Sequence, residues 1–321
     1  MKNILKVWIL LLAAVVTGAV GLTGCSPAEK PVSEDQTSEV IEIYAPASTS
    51  SIPVLLAASQ STNFHVTLYS NQSQANTLFV RGDIPIFVTG LSVGQDLYKQ
   101  EVPIQLANSF VSGLSYLVTT GSAVNSFADL KGKEIYIPFE GSPIEDVSAY
   151  FAAQEDLTWK EDITPVYSPF DSSVALLKEG KAGAVVLPEP FISLLEGQDN
   201  IFISLSYFDQ WNQANPQDQG YPQVGTFVNT EWAAGHADQI AQFNQALADA
   251  IAQVETDPQA VVDAVAASYS FPPKILLNSL GRIRFDLMSG TEMKTQIERY
   301  DVTIGKPQNE IDAAFYYLPA K

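Results

Sequence analysis

Val40-Ile41-Glu42-Ile43-Tyr44, the loop Ala45-Pro46-Ala47-Ser48-Thr49-Ser50-Ser51, and then Ile52-Pro53-Val54-Leu55-Leu56 decide the reading of the fold. The first five residues are rich in β-branched and aromatic side chains and read as a strand. A proline near the first helical position opens a helix over 53–59. Working outward, residues 64–69 read as a strand, 73–80 as a helix, 84–89 as a strand, 92–99 as a helix and 104–111 as extended chain. Strands alternating with helices of this length predict βαβ units and a parallel sheet.

The rhythm continues through the middle. Residues 115–119, 134–137, 163–167 and 184–187 read as strands, with helices over 143–154 and 172–179. A Gln/Asn-rich stretch, 209–220, breaks the pattern before an extended run over 223–229. The last third reads as mainly helical. Ile240, Phe243, Leu247, Ile251 and Val254 fall on one helix face, and Asp257-Pro258 caps and starts the next helix.

Composition bounds the function. At roughly 150 residues per domain, 321 residues make about two domains. The chain has 36 Asp+Glu against 17 Lys+Arg, a formal charge of -19, which argues against nucleic acid as a partner. One cysteine makes neither an intramolecular disulfide nor an iron–sulfur cluster. With only His65 and His236 as imidazoles, neither a metal site nor a resident cofactor is expected.

The amino terminus has the grammar of a secretory signal. Lys2 and Lys6 precede an apolar run from Val7 to Val16, and small residues lead to Leu22-Thr23-Gly24-Cys25. These four residues resemble a bacterial lipobox, in which the cysteine after the cut is lipidated. The alternative, an uncleaved anchor over residues 7–22, is shorter than the roughly 20 residues of a spanning helix. The expectation is a signal peptide over 1–24, lipid attachment at Cys25, and a polar tether over 25–38. The folded body would then be held extracytoplasmically at the cell membrane, on its periplasmic or cell-surface side.

Several local strings occur in one order: Pro46 to Pro53, Arg81-Gly82-Asp83-Ile84, Ser126 to Lys133 (SFADLKGK) and Glu140-Gly141-Ser142-Pro143. Val186 to Phe191 (VLPEPF), Lys306-Pro307 and Ala314-Phe315-Tyr316-Tyr317 follow. Over residues 39–321 the chain resembles the solute-binding proteins of ABC importers, in the nitrate/sulfonate/taurine and thiamine-precursor group. The resemblance implies an α/β, two-lobed type II periplasmic-binding-protein fold with two crossing hinge strands, expected near 109–115 and 223–229. Lobe 1 would comprise 39–110 and 226–321, and lobe 2 would comprise 111–225. A monomer is expected, with an ABC permease as partner.

Ligands of open α/β sheets sit beyond the carboxyl ends of strands. That rule selects Ser48, Thr49 and Ser50 (with Ser51) after the first strand, where hydroxyls and free N–H groups meet, one of the hydroxyls serving only as a cap. It also selects Thr89 and Gly90 after the third strand, with a plain tight turn as the other reading. In the middle segment it selects Gly141 and Ser142 ahead of Pro143. Glu189 either accepts hydrogen bonds from a ligand or complements a helix dipole in solvent. Tyr221 either stacks on a ring or packs the hinge. The predicted rim lacks arginine and lysine, since Arg81, Lys131 and Lys133 all precede their strands. A thiamine-pyrimidine precursor or a flavin is therefore favoured over sulfonate or nitrate.

The competing class is an enzyme of cofactor-precursor biosynthesis on the same fold. The thiamine-pyrimidine enzymes look to a histidine and a cysteine-rich loop that this chain lacks. Neither His65, at a strand start, nor His236, at a helix start, is expected as a cleft base.

Overall fold

Alternate burial organises the first strand: β1 (Ile41–Pro46) turns Ile41, Ile43 and Ala45 inward, and its other three residues are half-buried. α1 (Ile52–Ser59), β2 (Phe64–Tyr69), α2 (Gln72–Val80), β3 (Ile86–Gly90), α3 (Leu91–Lys99) and β4 (Ile104–Gly113) follow. After Leu114 the chain enters a second sheet through β5 (Ser115–Thr120), β6 (Glu134–Ile137), α4 (Pro143–Gln154), β7 (Thr164–Tyr167) and α5 (Phe170–Lys178). β8 (Ala184–Pro188), α6 (Phe191–Leu195), β9 (Ile201–Ser206) and α7 (Tyr207–Ala214) complete that region. The chain returns through β10 (Val224–Asn229), α8 (Thr230–Ala233), α9 (Ala237–Thr256), α10 (Pro258–Val265), α11 (Pro273–Leu280), β11 (Arg284–Ser289) and α12 (Gly290–Thr303). This computed structural model describes residues 40–307 and 310–318, so the expected signal peptide, Cys25 and the tether lie outside the described residues.

The first sheet has the order β11-β4-β10-β3-β1-β2 and the second β7-β6-β8-β5-β9. Each is mixed, where the sequence predicts parallel. β1 is parallel to β2 and β3, and β6 to β7 and β8, as βαβ units require. The strands that leave and re-enter are antiparallel to their neighbours: β5 to β8 and β9, and β10 to β3 and β4. A chain that crosses between two sheets and comes back must reverse direction, and the βαβ rule does not contain that reversal.

Two elements correct the reading of the middle as a polar break. β9 closes the second sheet beside β5 just before the Gln/Asn-rich stretch, and α7 covers the first half of that stretch. Tyr207 and Trp211, four residues apart, are the buried face of α7, and the Ser206 side chain caps it by accepting from Asp209 N. The helical reading of the last third also needs amendment, because β11 pairs with β4. α9 buries Ile240, Phe243, Leu247, Ile251 and Val254 as their spacing predicts. Burying each of the larger of these side chains contributes roughly 1.5–3 kcal/mol.

One glycine sets how closely the first lobe packs. A Cβ on Gly94 would stand 2.1 Å from the Phe227 ring, so only glycine lets α3 lie directly on β10. A mid-helix glycine costs about 0.5–1 kcal/mol, and here that close approach offsets it. Among the described residues, no helix is long and apolar enough to cross a membrane.

Candidate functional site

The strands place two sets of loops. The carboxyl ends of β1, β2 and β3 carry residues 46–51, 70–71 and 89–91, and those of β6, β7 and β8 carry 138–142, 168–169 and 189–190. The sets meet at the starts of α3 and α4. Ser92 Oγ donates to the Gly141 carbonyl at 3.1 Å, and a Cβ on Gly90 would stand 3.0 Å from Pro143 Cγ. Thus Gly90 and Gly141, 51 positions apart in sequence, flank one seam.

The seam is backed by the two crossing segments, which hydrogen-bond side by side. Tyr221 N donates to Ser112 O at 3.1 Å, and Gln223 N donates to Val111 O at 2.9 Å. The Gln223 side chain accepts from Leu114 N at 2.9 Å and donates to Ser115 Oγ at 3.0 Å, while its carbonyl accepts from Leu91 N at 2.9 Å. Gly220, at φ +81°, would bring a Cβ to 2.2 Å from Ser112 O, so the crossings touch only because that residue is glycine.

On the first lobe, the four hydroxyls after β1 divide their work. Ser48 Oγ accepts from Ser50 N and pairs with Ser50 Oγ at 3.0 Å. Ser51 Oγ donates to Pro46 O at 2.7 Å, and Tyr269 OH donates to Ser48 O at 3.1 Å. Thr49 Oγ1 is left: Thr49 is fully buried and its hydroxyl has no hydrogen-bond partner. Thr89 Oγ1 accepts from Gln72 Nε2 at 3.1 Å, and Tyr69 OH donates to Val88 O at 3.0 Å. Burial pushes the Tyr69 hydroxyl well above its ordinary pKa, so it remains protonated.

On the second lobe, the start of α4 is already occupied by this chain's own carboxylate. Ser142 Oγ caps Glu145 N at 3.2 Å, and Glu145 Oε2 accepts from Gly141 N at 2.7 Å. Glu145 Oε1 accepts from Trp159 Nε1 at 3.0 Å and Tyr167 OH at 2.9 Å, and Lys160 Nζ stands 3.5 Å away. Burial alone would raise this carboxyl, but the donors Trp159, Gly141 and Tyr167, with Lys160, together hold it below the ordinary carboxylate value.

The structure places Glu189 inside the protein, neither in solvent nor with its oxygens free. It is 0% exposed, accepts from Ser193 N and Ser193 Oγ at 3.1 Å each, and has Arg282 Nη1 at 3.5 Å. Burial raises its carboxyl despite those donors and Arg282. Tyr221 is also fully buried, against Trp211 (centroids 5.3 Å apart) and stacked on Tyr300 at 6.1 Å and 12°. Its hydroxyl makes no hydrogen bond of good geometry, the neighbouring Ser115 hydroxyl being engaged by Gln223.

Ser48, Thr49, Ser50, Thr89, Gly90, Gly141 and Ser142 thus lie on the facing loop ends, whereas Glu189 and Tyr221 serve packing around the hinge. Sequence reasoning missed Gln72, Ser92, Gln223 and Tyr269, which carry no local motif. It also missed Glu145, for which the capping-box spacing Ser142-x-x-Glu145 was a usable signal. The expectation of a rim without cations is corrected too. Arg282 and Lys306 pair with carboxylates across the lobes, and Lys160 pairs with Glu140 in the loop after β6. His65 pairs with Glu42 at 2.9 Å, and His236 Nδ1 donates to Trp232 O at 2.6 Å, both away from the seam.

The NMT1/THI5 like family model matches residues 65–261. No curated relative matches the chain by sequence. Solved structures share the fold across most of the chain. An ABC transporter protein from Parabacteroides distasonis is 19% identical, covering 88% of this chain and 99% of its own, with TM-score 0.67. The periplasmic aliphatic sulphonate binding protein SsuA from Escherichia coli is 16% identical, covering 83% and 86%, with TM-score 0.69. The ligand binding component of an ABC-type import system from Staphylococcus aureus, solved with zinc, is 14% identical, covering 87% and 97%, with TM-score 0.70. The fold is therefore the periplasmic-binding-protein fold, as the resemblance implied.

Proposed function

The chain belongs to the NMT1/THI5-like family, and from that premise we propose that it is an extracytoplasmic solute-binding receptor of an ABC importer. It captures a small organic solute between its lobes and hands it to the permease. Capture involves no bond chemistry; the liganded, closed form is the one that the permease selects. The observation that carries this reading is the seam itself. Two sheets present their strand-end loops to each other, backed by two crossings that pair through Gly220 and Gln223. The binding functions named for the similar Escherichia coli and Staphylococcus aureus structures support it. Lipidation at Cys25 and the tether over 25–38 would hold the body within at most roughly 45 Å of the membrane.

The ligand we favour is neutral or amine-bearing, such as a thiamine-pyrimidine precursor or a flavin, rather than the sulfonate named for the similar Escherichia coli protein. Helix N-termini are the usual anion sites of such loops. Here Glu145 fills the one on α4, and a second carboxylate, Glu189, is buried beside α6. The cations nearest these groups are already engaged by carboxylates, Lys160 by Glu145 and Arg282 by Glu189 and Glu196, so none is left over to balance an oxyanion on that side. The unspent hydroxyl of Thr49 suits a heterocycle or an amide equally well.

Thermal stabilisation of the folded chain by a panel of aminopyrimidines, flavins, alkanesulfonates and nitrate tests both parts, since a ligand bound only by the native state raises Tm. Stabilisation by a pyrimidine or flavin is the expected result. A sulfonate or nitrate as the sole stabilising solute would overturn the ligand class, and turnover of a panel member without saturable binding would overturn the receptor.

A further inference from the structure

Two successive residues of α12, Arg299 and Tyr300, and the lysine that follows the helix reach across to the second lobe, while Asp301 beside them braces α3 of the first. Arg299 Nη2 pairs with Asp218 at 2.6 Å, and Asp218 also accepts from Trp211 Nε1 at 3.1 Å. Tyr300 is buried against Trp211 of α7, with centroids 5.4 Å apart. Asp301 accepts from Gln95 Nε2 at 2.7 Å. Lys306 Nζ then stands 2.7 Å from Asp146 on α4, and donates to Gln95 Oε1 of α3 at 3.1 Å.

We propose that α12 with Lys306 is a third, non-covalent connection between the lobes, in which the Lys306–Asp146 ion pair determines how far they close. The charge pattern gives the reason. Asp146 from one lobe and Asp301 and Asp96 from the other face a common seam, and Asp96 is shared with Lys99. Asp146 and Lys306 are only 22% and 24% exposed, so water screens them weakly. Without the Lys306 ammonium, carboxylates of opposite lobes repel where α3 and α4 meet, and closure keeps only the cross-lobe attractions made elsewhere, by Arg282 to Glu189 and Glu196 and by Ser92 to Gly141. Lys306 and Asp146 are thus positioning residues: they set the lobe separation and touch no solute. Their part in capture rests on the receptor reading, whereas their effect on lobe separation does not.

The test measures separation directly and without solute. In a Cys25→Ser chain, spin labels at Thr77→Cys on α2 and Gln154→Cys at the end of α4 report the interlobe distance by pulsed electron resonance. Lys306→Met and Asp146→Asn should each lower the ratio of short to long distances about three- to tenfold. The exchanged pair, Asp146→Lys with Lys306→Asp, should restore the short distances. Near-uv circular dichroism and Tm identify any variant that has simply misfolded, and either single variant alone suffices for the comparison. Distances unchanged from the parent in the folded single variants, or an exchanged pair as open as Lys306→Asp alone, would overturn the proposal. Such a result leaves solute binding intact, so it is distinguishable from failure of the receptor reading.

Discussion

The loop after β1 and the loop after β6 share one feature in sequence: each ends on a serine shortly before a proline in the first turn of a helix. The structure gives them opposite capacities. After β1, three serine hydroxyls close on the loop's own backbone or on one another and leave Thr49 Oγ1 buried and unspent. After β6, Ser142 and Glu145 together satisfy the start of α4, and the carboxylate takes three neighbours besides, Trp159, Tyr167 and Lys160. The second loop is therefore self-sufficient and the first is not. A polar group is available to a ligand only when local capping leaves it over.

Substitutions can break this contrast. The largest effect is expected at Glu189, the other buried carboxylate of the second lobe. Glu189→Ala leaves Ser193 N unpaired and deprives Arg282 of one of its two carboxylates, and should cost roughly 2–4 kcal/mol in urea unfolding. A loss under about 0.5 kcal/mol would free Glu189 for a role at the ligand.

Glu145→Gln comes next, at about 1–3 kcal/mol near neutral pH, and it carries a pH signature. The folded carboxyl lies below its ordinary value, so its stabilisation is present above the unfolded pKa and is lost as pH falls through the folded one. Between about pH 5 and about pH 3 the parent's Tm should fall more steeply than that of the variant. Parallel pH–Tm curves would show that the carboxylate does not hold the start of α4.

The smallest effect sharpens the comparison most. Thr49→Val keeps the shape and removes a hydroxyl that pairs with nothing in the protein, so Tm should stay or rise. Affinity for the stabilising solute should drop about two- to tenfold, the worth of one neutral hydrogen bond. Thr226→Val is the control: its hydroxyl is likewise buried and unpaired, but it lies in β10 and not on a strand-end loop. Equal losses in both variants would remove Thr49 from the site.

Most strands and helices were legible because their burial is periodic: β1 alternates, β8 is apolar throughout, and α9 keeps one face. β9 and β11 were not, since each is an edge strand whose burial does not alternate. α7 hid within amides, although Tyr207 and Trp211 stand one turn apart. The carboxyl-end rule selected Thr49, Thr89, Gly90, Gly141 and Ser142 from element order alone, and the structure puts all five at or just after strand ends. The fates of Glu189 and Tyr221 were not legible, because Arg282 and Tyr300, which receive them, lie about eighty to ninety residues later.

The sequence by itself therefore determined the alternation of strands and helices and which loops lie at strand ends. These depend on residue type and local spacing. Only the tertiary structure decided which hydroxyl stays unspent, which carboxylate is turned inward, and that α12 reaches the other lobe through Tyr300 and Lys306. Those outcomes depend on partners remote in the chain, and hydrogen bonds and ion pairs form between whichever groups folding brings within reach.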